Sequence, residues 1–217
     1  MLRISLIGPG DLDFHFYNLL EIPPEALESE VKKLAKSFVE AEVELELTPS
    51  EGIAFELAKS YKKQGGKSVI GSIPKSDKGY GIKHIEPFMN ETVNRKPLFN
   101  RFIDTGDWRQ QNRLKALLGD VVLYLGNSPG ADLELNAGIY LFKLMKGFKK
   151  GISDAKYLHP EVRAGINIPY TILVYCPFLK SKTLSKETEA YMEKYGISLS
   201  YIENPKQLKE KLQELEK

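Results

Sequence analysis

The feature that most constrains this chain is a rhythm: short apolar runs, each closed by a turn cluster and followed by a segment of helical spacing. Leu2 to Ile7 runs into Gly8-Pro9-Gly10, and Val43 to Leu47 into Thr48-Pro49-Ser50-Glu51-Gly52. Lys67 to Ile73 runs into Pro74, and Val121 to Leu125 into Gly126-Asn127-Ser128-Pro129-Gly130. Between these runs, Pro23-Pro24 opens a helix to about Glu40 whose Leu27, Val31, Leu34 and Phe38 share one face. Ile53 to Gln64 reads as a helix closed by Gly65-Gly66, and Asp107 to Leu118 as another. Ser128-Pro129 supplies an N-cap and a first-turn proline to a helix reaching about Met145, apolar on almost every side and so expected to be buried. Tyr170 to Tyr175, Lys186 to Lys194, Ile197 to Ile202 and Pro205 onward read as strand, helix, edge strand and surface helix. Such alternation predicts an α/β fold: a doubly wound, mostly parallel sheet in a Rossmann-like three-layer αβα arrangement.

A length of 217 residues, with 42% hydrophobic and 28% charged residues, fits one domain over 1–217, in which 146–217 completes the sheet and its helices. Residues 74–98 show no convincing period, which predicts a functional loop or lid lying over the site or against a partner. A net charge of +2 gives no argument for nucleic acid or a membrane surface as partner. No apolar run approaches the ~20 residues of a membrane span. The lone Cys176 lies in the run Ile172 to Cys176 and reads as a small core residue, which fits a reducing, cytoplasmic setting. The three histidines and one cysteine lack zinc-site spacing, so no metal is expected, and no cofactor other than a nucleotide-type ligand.

In sheets of this kind, ligands bind beyond the carboxyl ends of the strands. The turn Gly126 to Gly130, between a buried strand and a buried helix, could present free backbone N–H groups and a positive helix end to a phosphate; a tight turn capped by Ser128 explains it equally well. Glu134 is the sharper signal, because a carboxylate early in an apolar helix is costly to bury unless it is hydrogen-bonded or used. Its plainer reading is a local bond to the helix start. Gly8-Pro9-Gly10 could let a ligand approach or could simply be a turn, and His84, with Lys75, Lys78 and Lys83, reads as an exposed loop histidine.

Three segments together resemble the SLOG superfamily, the Rossmann-like proteins that include the LOG cytokinin-activating phosphoribohydrolases; the likeness covers roughly Leu2 to Met145. They are the strand ending Ile7-Gly8-Pro9-Gly10, the block from Gly52-Ile53-Ala54-Phe55-Glu56 through Gly65-Gly66 to Gly71-Ser72-Ile73-Pro74, and the turn and helix ending at Glu134. The middle block is similar to the family's GVMEA helix, glycine pair and G-x-x-P turn. The last is similar to its PGGxGTxxE motif, with Gly130 on the late glycine, Ala131 on the threonine and Glu134 on the glutamate. The chain is a divergent case: Thr48-Pro49 and Asn127-Ser128 stand where the family has phosphate-facing glycine pairs, and Gln111 stands where the hydrolases carry an arginine. Arg109 and Arg113 are each two residues from that position, a rotation of about 200° on a helix.

The resemblance implies that a glutamate in the place of Glu134 assists cleavage of a base–ribose bond while an arginine positions the phosphate or the departing base. Three expectations follow. The first is a nucleotide or nucleotide-derivative binding protein, a non-catalytic sensor, with Gly8, Gly10, Thr48, Ser50, Gly52, Asn127, Ser128, Gly130 and Ala131 framing the ligand. The second is an N-glycosidic nucleotide hydrolase using Glu134, with Arg109 or Arg113 turned into the pocket. The third is a structural homodimer whose pocket has decayed; the resemblance suggests a homodimer in any case.

Overall fold

The computed structural model describes residues 1–148, 151 and 157–216. Nine strands and seven α-helices are described: β1 (Arg3–Ile7), α1 (Pro24–Glu40), β2 (Glu44–Leu47), α2 (Ile53–Lys63), β3 (Ser68–Ile73), α3 (Glu86–Met89), β4 (Thr92–Val93), β5 (Lys96–Pro97), β6 (Arg101–Asp104), α4 (Trp108–Leu114), β7 (Val121–Tyr124), α5 (Pro129–Lys146), β8 (Thr171–Tyr175), α6 (Lys186–Tyr195), β9 (Ser198–Ile202) and α7 (Pro205–Leu215). Seven strands form one sheet in the order β6-β3-β2-β1-β7-β8-β9, every neighbouring pair parallel. This is the doubly wound, three-layer α/β architecture that the alternation requires. The winding direction reverses between β1 and β7, so the carboxyl ends of β1, β2 and β7 surround the switch point.

The two faces of the sheet carry different cores. Ile4, Leu6, Leu45, Leu47, Val69, Val121 and Leu123 pack against apolar residues of α1, α2 and α7. On the other face Ile7, Val122, Tyr124, Ile172 and Val174 pack against α4, α5 and α6. Strand alternation puts Ser5, Glu46 and Ser72 on that second face, where all three are fully buried.

Two segments hold structure for which the sequence carries no local signal. The aromatic loop after β1 contains a π-helical stretch, Asp13–Leu19, in which Leu20 N–H donates to His15 O at 3.1 Å. It is held by burial of Phe16 edge-on to Phe178 at 4.9 Å and by His15 Nε2 at 3.0 Å from Phe178 O. Such turns are too rare to be expected from sequence. Residues 74–98 are partly structured, with α3 and the antiparallel hairpin β4–β5, whose turn residues Asn94 and Arg95 take the positive φ of a tight hairpin turn. Asp77 anchors the first half by accepting backbone N–H bonds from Tyr80, Gly81 and Trp108, and Phe88 packs edge-on to Phe55 of α2 at 5.2 Å.

Candidate functional site

The carboxyl ends of β1 and β2 are drawn together by Gly52, at φ +124°, where a side chain would meet Pro9 O at 2.5 Å. That close approach lets Ile53 N–H donate to Pro9 O at 3.1 Å and aims the start of α2 at the turn after β1. No side chain caps α2. The start of α5 is different: Ser128 Oγ accepts the Ala131 N–H at 3.1 Å, so the helix is closed by its own residue. Of the two helix ends near the switch point, α2 is the one left open to a ligand.

Beside it lie two adjoining cavities that share Gly10 and Glu51. The inner chamber, about 90 Å³, is lined by Leu6, Gly8, Pro9, Gly10, Thr48, Ser50, Glu51, Ala54, Lys115 and Glu134. The outer cleft, about 640 Å³, has Phe55 and Phe88 as flat apolar walls and an acidic rim of Asp11, Asp13, Glu51, Glu56 and Glu91. Its one lysine, Lys59, is paired with Glu56 at 3.0 Å. Residues of the 74–98 segment, Pro87, Phe88 and Glu91, form one wall of this cleft.

The floor of the chamber is a buried charge cluster. Lys115 Nζ lies 2.6 Å from Glu46 Oε2, and both side chains are almost wholly excluded from solvent, at 2% and 0% exposure. Ser5 Oγ donates to the same carboxylate at 2.7 Å. Glu46 Oε1 has no hydrogen-bond partner, the one buried side-chain polar atom so left among the described residues. Glu134, part-buried, enters the chamber from α5. Desolvation pushes its pKa up to about 7; the positive charge of Lys115 opposes the shift and the negative charge of Glu46 adds to it. A carboxyl group so placed exchanges its proton near neutrality.

Of the residues expected from sequence, Gly8, Gly10, Thr48, Ser50 and Glu134 line the chamber, and Gly52 lines the cleft. Asn127, Ser128, Gly130 and Ala131 line neither cavity: Ala131 is buried, Asn127 and Gly130 are exposed, and Gly126 is packed beneath His15. Gln111 is fully buried and held on both ends of its amide, Nε2 donating to Thr48 Oγ1 and Ser72 Oγ, each at 2.8 Å, and Oε1 accepting from Thr105. Arg109 and Arg113 are exposed on α4, and Arg113 lines a separate groove with Leu141 and Tyr157. The helical rotation that separates them from Gln111 turns them away from the chamber. Sequence reasoning missed Glu46, Lys115 and Ser5; the only hint was a lysine inside the apolar stretch Leu114 to Leu118.

Fold and site geometry thus define a parallel α/β protein with cavities at the carboxyl edge of its sheet. Solved structures share this fold along their whole length. The molybdenum cofactor carrier protein of Chlamydomonas reinhardtii is 15% identical, with a TM-score of 0.55, and the match covers 99% of this chain and 97% of that one. The molybdenum cofactor binding protein of the phototrophic bacterium Rippkaea orientalis is 13% identical, with a TM-score of 0.58, covering 100% and 98%. No family model and no curated protein sequence matches the chain.

Proposed function

We propose that this protein binds a small nucleotide-like or cofactor-like molecule at the carboxyl edge of β1 and β2 and does not cleave it, as a divergent relative of the SLOG superfamily. The observation that carries the reading is the pair of adjoining cavities beside the uncapped start of α2. The outer cleft has the volume of a ligand pocket, and Phe55 and Phe88 offer a surface for a flat heterocycle whose amino groups would meet the acidic rim. The inner chamber offers an anionic group the hydroxyls of Thr48 and Ser50, the open helix end and the Lys115 ammonium. One structural neighbour is named as a carrier of the molybdenum cofactor and another for binding it, which supports a small-molecule ligand of cofactor type.

A hydrolase is the second reading, favoured by Glu134 in the chamber with a pKa near 7. Against it stands Gln111, a neutral amide fixed in a hydrogen-bond network, with both nearby arginines exposed. The polar lining of the chamber weighs against a decayed pocket. As the homodimer contact we propose the outer face of α5, where Leu133, Tyr140 and Leu144 are exposed. Small molecules are the proposed partners, rather than nucleic acid or membrane, and the cytoplasm the proposed location; among the described residues no helix is long and apolar enough to cross a membrane.

Thermal-shift binding against nucleoside mono-, di- and triphosphates, ADP-ribose, dinucleotides and the molybdenum cofactor, with free base assayed in the same wells, tests this reading. A rise in melting temperature without base release is expected. Base release that Glu134→Gln abolishes would establish the hydrolase, and no shift with any compound would leave the reading without support.

A further inference from the structure

Gln111 ties together a hydrogen-bond network of which only one member reaches the chamber. Ser72, Thr105 and Gln111 are buried, while Thr48, in the turn after β2, is half-buried and lines the chamber wall. The direction of each bond follows from counting hydrogens. The amide nitrogen of Gln111 carries two N–H bonds and faces two hydroxyl oxygens, Thr48 Oγ1 and Ser72 Oγ, each at 2.8 Å, while the amide oxygen faces the Thr105 hydroxyl. Turned over, the amide would set both N–H bonds against the single Thr105 oxygen and leave one of them buried without an acceptor, which is costly. The Thr48 oxygen therefore accepts from Gln111, and the Thr48 proton is directed elsewhere. Among the described residues no oxygen takes it.

We propose that Gln111 is a positioning residue that commits the Thr48 hydroxyl to donating into the chamber, so that the group bound there presents an acceptor oxygen to it, from a phosphate or from a ring carbonyl. This deepens the reading of the chamber as part of a ligand pocket and rests on it. A threonine hydroxyl with no fixed partner serves as donor or acceptor and selects neither. One whose oxygen is already engaged by a buried amide spends its proton outward, and a ligand N–H in that place would meet a second donor. A site built to make one hydrogen bond rejects an analogue that lacks it, because the protein group is then left unpaired. Glutamine is specific in this role: a carboxylate at the same position would accept from Thr48 and draw its proton inward.

The probes are adenosine, which has neither a phosphate nor a ring carbonyl, adenosine 5′-monophosphate, which adds the first, and inosine, which carries the second. Each is titrated by calorimetry into the full-length protein. Thr48→Val should weaken the monophosphate roughly tenfold or more if the acceptor is phosphate, or inosine roughly threefold or more if it is the carbonyl, and change adenosine less than about twofold. Thr48→Ser should restore the affinity. Gln111→Glu, whose carboxylate accepts from all three hydroxyls and keeps the network bonded, should weaken the same compound, and the two changes together should weaken it by much less than the product of their separate effects. A Gln111 that served the fold alone would lower the melting temperature without this selective, coupled loss. Should Gln111→Glu fold poorly, nitrogen NMR of glutamine-labelled wild type gives the second readout, with the Gln111 side-chain amide shifting on binding of the monophosphate or inosine and not of adenosine. Equal weakening of all three compounds by Thr48→Val, weakening of none, no rescue by serine, effects at the two positions that multiply in full, or an unmoved Gln111 amide would each overturn the proposal. Failure of all three compounds to bind would overturn it too, whereas the wider nucleotide and cofactor panel separately decides whether the site binds a ligand.

Discussion

The two faces of the sheet solve the burial problem in opposite ways. Leu45 and Leu47 of β2 turn toward α1 and α2 into an unbroken apolar core, while Glu46 between them turns the other way into a polar stripe with Ser5, Lys115 and, further along, Ser72 and Gln111. Apolar burial stabilises in proportion to the area removed from water, about 25 cal/mol per Å², and needs no partner geometry. A buried ion pair barely breaks even against an apolar pair of the same volume. The difference teaches where to look for function: the stripe brings the charged Lys115 to the chamber at the carboxyl edge, whereas the apolar face brings only Leu6 and Ala54 to its lining.

The largest effect expected from breaking that contrast is at Lys115. Lys115→Met leaves Glu46 as an uncompensated buried charge and should cost about 3–5 kcal/mol in urea denaturation, whereas Lys115→Met with Glu46→Leu should recover most of it. If the double variant were no more stable than the single one, the stripe would be structural in the same sense as the apolar face. A smaller, pH-dependent effect is expected at Glu134. Because burial raises its pKa from 4.5 to about 7, the folded state holds a proton that the unfolded state has lost across that window, so stability falls as pH rises through it and stays low above it. Glu134→Gln should therefore melt higher than wild type at about pH 8, by on the order of 2 kcal/mol or roughly 5 °C after allowance for part exposure, and the gap should close near pH 4.5. A gap independent of pH would remove the titration from the account. The smallest effect is at the start of α5: Ser128→Ala should cost about 1 kcal/mol in thermal melts and leave nucleotide affinity unaltered, since its hydroxyl serves the Ala131 N–H. A large loss of affinity with that variant would return the α5 turn to the binding site.

The sheet and its helices were legible because their signals are local: apolar runs such as Val121 to Leu125, a proline pair at the start of α1, a serine cap before α5. Half of the site was legible for the same reason, since turns at strand ends are punctuated by Gly8, Gly10, Ser50 and Gly52. The charge cluster was not. Glu44-Leu45-Glu46-Leu47 alternates as a half-exposed strand would, and only the pairing of β2 beside β1, under a lysine distant in sequence, buries Glu46. The turn at Gly126 looked like the stronger anion site because sequence shows which residues can cap a helix, but not whether the cap is already taken or whether His15 folds over it. The silent stretch 74–98 gained its order from Asp77 and Phe88, whose partners lie on other elements.

Amide chemical-shift mapping of isotope-labelled protein with the panel member that raises the melting temperature most tests the central claim most directly. The account predicts shifts concentrated at Gly10, Ser50, Ala54 and Phe55, around the open start of α2. Shifts centred on Gly130 and Ala131, or no shift with any member of the panel, would contradict it.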